Sequence, residues 1–173
     1  MKKVIKFFAL SIVMLAFAAS SFAQVQATAA ASAYIVSPIT ITNPVSMEFG
    51  NVAVSPTLPG TVIMDPAGTR TPTGGVTLPA ITATVRAASF DIGGTPAYTY
   101  SIAITPASAT ISNGGNTMTI DTWTSTPDYA TGGTLDGTGV QTVTVGGTLH
   151  VANAQVSGTY TNATAVTVTV NYN

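Results

Sequence analysis

The sequence predicts an all-β fold built as an antiparallel sandwich, and three observations carry that expectation. Charged residues are only 6% of the 173 residues, against 46% hydrophobic ones, too few to wet the outer faces of helices. Apolar and polar residues alternate with period two in one segment after another. Between those segments stand clusters of Gly, Asn and Pro, drawn from 16 Gly and 10 Pro, which suit tight hairpin turns.

The first residues carry an export signature. Lys2, Lys3 and Lys6 form a basic start, residues 7–19 are an apolar run, and Ser21-Phe22-Ala23 puts small residues at the positions that define cleavage. Residues 1–23 are therefore expected to be a signal peptide, cleaved after Ala23. The apolar run is shorter than the roughly 20 residues a spanning helix needs, and it leads into polar Gln24 and Gln26. No stable membrane insertion is expected after cleavage, and the product belongs in the periplasm, at the cell surface or outside the cell.

Removing 23 of the 173 residues leaves 150, one domain by length. Lys+Arg falls from 5 to 2, Arg70 and Arg86, against six acids; 2 minus 6 gives a net charge near −4. No basic patch is left to displace phosphate counterions or to hold anionic lipid, so nucleic acid is not an expected partner. Cys is 0, so the exported chain must hold together by packing and ladder hydrogen bonds rather than by disulfides.

In chain order, the odd positions from Gln24 read Val25, Ala27, Ala29, Ala31, Ala33 and Ile35, an extended segment over about residues 24–36 with one small, apolar face. Such a segment can close its own sandwich or add to the sheet of a neighbouring molecule. Met47 and Phe49 are odd while Val52 and Val54 are even, so the chain should kink at Gly50-Asn51. Residues 56–79 are the loosest stretch, read as a long connection with one strand near residues 60–65. Ile81, Ala83, Val85 and Ala87 are odd but Phe90 and Ile92 even; a bulge near residues 87–89 would keep both halves on the core.

Further along, Tyr98, Tyr100, Ile102 and Ile104 share a face, and Met118 and Ile120 point inward. Val143, Val145, Leu149 and Val151 alternate with Thr142, Thr144, Thr148 and His150, and Val166, Val168, Val170 and Tyr172 with Thr167, Thr169 and Asn171. The outward positions are mostly Thr, whose branched hydroxyl side chain favours the pleated backbone and stays wettable; this explains the low charge. Turns are expected at Thr73-Gly74-Gly75, Gly93-Gly94-Thr95-Pro96, Asn113-Gly114-Gly115-Asn116, Gly132-Gly133 and Asp136-Gly137-Thr138-Gly139. The unequal strand lengths favour a sandwich over a closed barrel. Burying the four apolar side chains of the last strand is worth at most about 6–12 kcal/mol, comparable with the roughly 5–15 kcal/mol of a whole domain, so that strand must be part of the core.

Groups that move protons are scarce. His150 is the one His, and the acids are scattered as Glu48, Asp65, Asp91, Asp121, Asp128 and Asp136. A Ser-His-Asp arrangement needs the fold to bring a Ser and an acid to His150; its parity instead makes it a surface-strand His. Residues 128–139 hold two acids among glycines but lack the dense Asp/Asn alternation and closing Glu of an EF-hand loop. No catalytic, cofactor or metal site is expected. Trp123 and Tyr129 are the candidate ligand contacts, as a sugar-stacking platform; Trp123 falls on the parity opposite to Met118 and Ile120 or in the following loop, with a partly covered structural Trp as the plainer reading. Asn162-Ala163-Thr164 fits a glycosylation sequon, a short pattern frequent by chance.

The run Ile35-Val36-Ser37-Pro38-Ile39-Thr40-Ile41 leading to Met47-Glu48-Phe49-Gly50, with Gly147-Thr148-Leu149-His150-Val151, Gly158-Thr159-Tyr160 and the ending Val168-Thr169-Val170-Asn171-Tyr172-Asn173, resembles the exported bacterial family called domain of unknown function 4402. More distantly, the Phe-Gly element and the alternating last strand with penultimate Tyr172 resemble spore-coat-U-type and archaic chaperone-usher pilins. That resemblance implies an incomplete immunoglobulin-like sandwich finished by a donor strand, first from a periplasmic chaperone and then from the next subunit. Val166, Val168, Val170 and Tyr172 would be the strand a chaperone pairs with, and residues 25–33 the donor. The chain departs from pilin-type sequences in having no Cys, in the offset of Gly158 and in lacking large anchoring residues on its alanine-rich donor face.

The expectation is therefore an immunoglobulin-like, pilin-like sandwich acting as a non-catalytic surface or fimbrial-type subunit by strand addition. Its partners would be itself, related subunits and a periplasmic chaperone. A monomeric carbohydrate-binding or adhesin module is the alternative, with a hydrolase more distant.

Overall fold

The computed structural model describes residues 25–81 and 83–173, with Asn43 and Pro44 described for their backbone alone. The export signature of residues 1–23 lies outside the described residues. The strands belong to the unit Val36–Asn173, and Met1–Ile35 is a separate unit. Residues 25–35 of that unit carry no strand and are exposed.

The strands are β1 (Thr40–Val45), β2 (Ala53–Val54), β3 (Gly60–Met64), β4 (Arg70–Gly74), β5 (Val76–Thr77), β6 (Ala88–Gly93), β7 (Thr99–Thr105), β8 (Ser108–Asn113), β9 (Asn116–Thr126), β10 (Gly133–Thr134), β11 (Val140–Val151) and β12 (Thr167–Tyr172). No described residue is helical, and the strand pairs are antiparallel. The fold is all-β, as composition and alternation predicted. A seven-stranded sheet holds β1, β6, β11, β3, β4, β9 and β8; a three-stranded sheet has the order β10-β7-β12; β2 and β5 form a small pair. The large sheet curls into a half-barrel.

β11 is the axis of the large sheet. One of its edges pairs with β6 over residues 140–145 and then with β3 over residues 147–151, while the other pairs with β9 over residues 144–150. The change of partner falls at Gly146-Gly147, where a side chain has no room. A Cβ on Gly146 would overlap the carbonyl oxygen of Met64, and one on Gly147 would stand 2.8 Å from the Trp123 ring. The alternation of β11 therefore continues across the junction, with Val143, Val145, Leu149 and Val151 all buried.

One hydrophobic cluster gathers inward side chains from both larger sheets, including Val62, Phe90, Ile120 and Leu149 from one and Tyr100, Ile102, Val168 and Val170 from the other. Gly50 adopts φ 64°, which lets odd Met47 and Phe49 and even Val52 and Val54 all pack against that cluster; this is the expected kink. Buried Ala87 is followed directly by buried Ala88, while the β6–β11 register runs unbroken from Ala88 to Gly93 and the extra residue of the β1–β6 ladder lies on β1, not at the expected bulge.

Three sequence expectations need correction. Residues 81 and 83–85 belong to no strand, and Ile81 is 85% exposed. The stretch follows Pro79, and just beyond it Arg86 forms a single bridge with Glu48. Residues 56–79 hold a hairpin of two strands, β3 and β4, followed by β5, where one strand was expected. β4 escaped notice because it lacks apolar alternation and contains Pro72, which stands opposite Val62, a placement Pro tolerates on an edge strand. Finally, the phase of Trp123 is reset by a bulge. Gly146 pairs with Thr124 but Thr148 with Asp121, and the extra β9 residue includes Thr122 at φ 51°. The bulge turns Trp123 onto the same inner face as Ile120.

Candidate functional site

The last strand has one paired edge. β12 runs in register with β7 from Thr167↔Thr105 to Tyr172↔Tyr100, and among the described residues no ladder covers its other side. Asn173 N–H donates to Thr99 O at 3.3 Å, and Ser101 Oγ donates to Asn171 O at 3.2 Å. In an antiparallel ladder the main-chain groups alternate in direction. Those of Thr167, Thr169 and Asn171 therefore face β7, while those of Val168, Val170 and Tyr172 face outward. The side chains of Val168 and Val170 are only 7% and 8% exposed. The strand is thus anchored in the core by its side chains and open along its backbone.

β1 lies next to that open edge without pairing to it; its own ladder is with β6. That ladder carries an extra β1 residue at Asn43-Pro44, since Thr42 pairs with Asp91 and Val45 with Ser89. Tyr172 ties the two strands at one end. Its hydroxyl accepts from Thr95 N–H at 2.7 Å and donates to Ser37 O at 3.0 Å, and Ser37 N–H donates to Thr95 Oγ1 at 2.9 Å. The Tyr98 ring meets Tyr172 edge-on at 5.6 Å.

At the other end, where β1 leaves and β12 enters, a cavity of about 950 Å³ opens. Residues 46–54 form one lip and residues 155–166 the other, over a floor of Ile111, Ile120, Trp123, Leu149 and Val151. Sequence reasoning missed this cavity because its lips lie about a hundred residues apart in the chain. The change of phase from Met47 and Phe49 to Val52 and Val54 was its one visible sign.

The remaining sequence candidates are dispersed. Val166 and Tyr172 are half-buried, while Val25, Ala27, Ala29, Ala31 and Ala33 are exposed. Trp123 is 8% exposed and donates its ring N–H to Pro106 O at 2.7 Å, while Tyr129 is exposed. Trp123 lines the cavity floor, and Tyr129 is not part of that lining. His150 lies on an exposed face with Nε2 2.8 Å from Asp121 Oδ1, beside a cleft of about 490 Å³ lined also by Thr61 and Thr119. Asp121 is held below the usual carboxylate range by that hydrogen bond first and by Thr122 Oγ1 second.

Asp128 Oδ1 accepts from Ala130 N–H. Asp136 Oδ1 accepts from the N–H groups of Thr138 and Val140 and from Thr138 Oγ1. The donors, Val140 N–H first, hold Asp136 below the usual range. These carboxylates lock their own turns, and no group of three possible metal ligands occurs among the described residues. Asn162 likewise closes a loop, donating Nδ2 to Thr110 O at 2.8 Å and accepting from Thr164 N–H.

Residues 39–172 match the family described as domain of unknown function (DUF4402), and the chain belongs to that family. No curated protein and no solved structure matches it.

Proposed function

We propose that this member of the family is an exported, non-catalytic structural subunit, an immunoglobulin-like and pilin-like sandwich that assembles by adding a strand to the open side of β12. The observation that carries the reading is the outward main chain of Val168, Val170 and Tyr172 beside β1, which pairs with β6 and not with β12. Unpaired ladder groups are a template for another chain. The added strand comes from residues 25–33 of a neighbouring copy, which are exposed and present small side chains. Alanines suit a place between two strands, because they let backbones approach closely. A periplasmic chaperone would cover the same edge before assembly.

The test is electrophoresis of unboiled, exported protein in SDS. The full chain should run as a ladder, and a chain lacking residues 25–33 as a single band. A monodisperse monomer from the full chain, matching the deletion in size, would rule the reading out.

A further inference from the structure

We infer that the cavity between residues 46–54 and 155–166 seats Ile35 of a neighbouring copy, whose chain runs antiparallel along β12 with Ala33, Ala31 and Ala29 opposite Val168, Val170 and Tyr172. The inference rests on the strand-addition reading and gives it a direction, a register and an anchoring residue. Within residues 25–35 the large apolar side chains are Val25, Tyr34 and Ile35, at 92%, 82% and 92% exposure, and they stand at the two ends of a run of small residues. Room for a large side chain exists at one end of the gap between β1 and β12. The cavity there, of about 950 Å³, is lined by Ser46, just past β1, and by Ala165 and Val166, just before β12, over a floor of core side chains. The other end is filled. A Cβ on Gly94 would overlap Tyr172 Oη, and that hydroxyl is bonded to Thr95 N–H and Ser37 O.

Direction and register follow from the strands. β12 runs from the cavity toward Tyr172, so an antiparallel partner runs toward the cavity and reaches it with its later residues, Tyr34 and Ile35. Directly opposed residues share a face. With odd residues opposite even ones, the alanines join buried Val168 and Val170, and Ile35 stands opposite half-buried Val166 in the cavity wall. A slip of one residue would instead turn Thr28 and Ser32 onto the core. The walls suit a peptide. Residues 25–36 carry no charge, and the charges of the first lip are engaged within it: Glu48 pairs with Arg86 at 2.6 Å, Arg86 donates to Ser46 O, and Arg70 donates to Asn51 O. Ser46, Asn51, Ser157, Thr159 and Thr161 line the site with side chains that donate and accept, as the N–H and C=O groups of an entering chain require.

The experiment puts two cysteines into the exported full chain, which has none of its own. Opposed residues of this kind stand about 5.5 Å apart between Cα atoms, within disulfide reach. A chain carrying Ile35→Cys and Val166→Cys, oxidised and then boiled in SDS, should give a covalent ladder that a thiol reductant collapses. With Val25→Cys in place of Ile35→Cys, that ladder should be at least about tenfold weaker. Ile35→Ser alters a side chain exposed in its own copy, so the melting curve should stay as it is while the monomer fraction in unboiled SDS rises at least about tenfold; Ile35→Val should keep the ladder. If Val166→Cys unfolds the chain, the Ile35→Ser result decides. An unboiled ladder without a covalent one from the Ile35 pair, a stronger covalent ladder from the Val25 pair, or assembly indifferent to Ile35→Ser overturns the inference and leaves strand addition standing. An unaltered chain that is monomeric overturns strand addition, and the inference with it.

Discussion

β11 and β12 use the same residues in the same alternation, yet one is paired on both sides and the other on one. Val143, Val145, Leu149 and Val151 of β11 are buried, and so are Val168 and Val170 of β12. β11 has β6 and β3 along one edge and β9 along the other, whereas β12 has β7 alone. The difference teaches what alternation encodes. Successive Cβ atoms point to opposite faces, so period two decides which face is buried. Edges are made of main-chain groups that every residue other than Pro carries, so the number of paired edges depends on which strands the topology delivers.

The largest expected effect breaks the doubly paired strand. Gly146→Val forces a side chain into Met64 O and should cost about 3 kcal/mol or more, measured by urea unfolding followed by Trp123 emission. Gly147→Ala should cost less, because its Cβ meets the Trp123 ring at 2.8 Å and the nearest backbone atom given, Asp121 O, at 3.3 Å. A Gly146→Val protein within about 1 kcal/mol of the parent would mean that the partner change of β11 does not depend on that close approach.

Next comes a pair of proline variants that asks whether β12 is open where the register says. Thr169 N–H faces β7 and Val170 N–H faces outward. Thr169→Pro removes a ladder bond and should cost about 2–3 kcal/mol. Val170→Pro keeps the ladder and most of the buried volume and should cost about 1–2 kcal/mol. In the SDS ladder test, Val170→Pro should lose assembly while remaining folded. Equal unfolding by both variants would show that the outward edge of β12 is already in use.

What the sequence disclosed and what it concealed follow the same division. Faces were legible: the inward positions of β7, β9, β11 and β12 were read from alternation. Partners were not. Ile81 and Ala83 alternate like a strand but lie outside every named strand. β4 does the opposite, pairing fully with β3 without alternating. Trp123 was misphased because a bulge adds one residue at a position no composition rule marks. Of the candidate site, the strand residues Val168 and Val170 were legible, while the open edge, the Tyr172 tie to Ser37 and the cavity depend on contacts remote in sequence.

A smaller effect probes the link between the two regions. Tyr100 lies on β7 beside Tyr172 of β12, and its hydroxyl donates to Gln141 Oε1 of β11 at 2.8 Å. The side chain is 0% exposed, and burial pushes its pKa from 10.0 up to about 12. A raised folded pKa contributes stability below the unfolded value that is lost as pH rises through the folded one. Stability should therefore fall between about 10 and about 12, read by urea midpoints alongside phenolate absorbance. Tyr100→Phe should remove that fall at the expense of about 0.5–1.5 kcal/mol at neutral pH. An unchanged alkaline fall in the variant would assign it to other groups.

The smallest effect belongs to the outer face of the paired region, where β9 and β11 carry Asp121 and His150 in contact at 2.8 Å. The hydrogen bond from His150, followed by that from Thr122, lowers the Asp121 pKa. A depressed folded pKa gives stability that is present above the unfolded carboxylate value and lost as pH falls through the folded one. Both side chains are substantially exposed, so solvent screening limits the pair to about 0.5 kcal/mol. Asp121→Asn should flatten the acid limb of the urea-midpoint profile slightly and make it less sensitive to salt. Asp136, held low by its own turn, should leave a residual slope that Asp136→Asn removes in turn. If Asp121→Asn leaves both the slope and its salt response as they were, the pair adds nothing to the double pairing of β11, and backbone ladders alone separate that strand from β12.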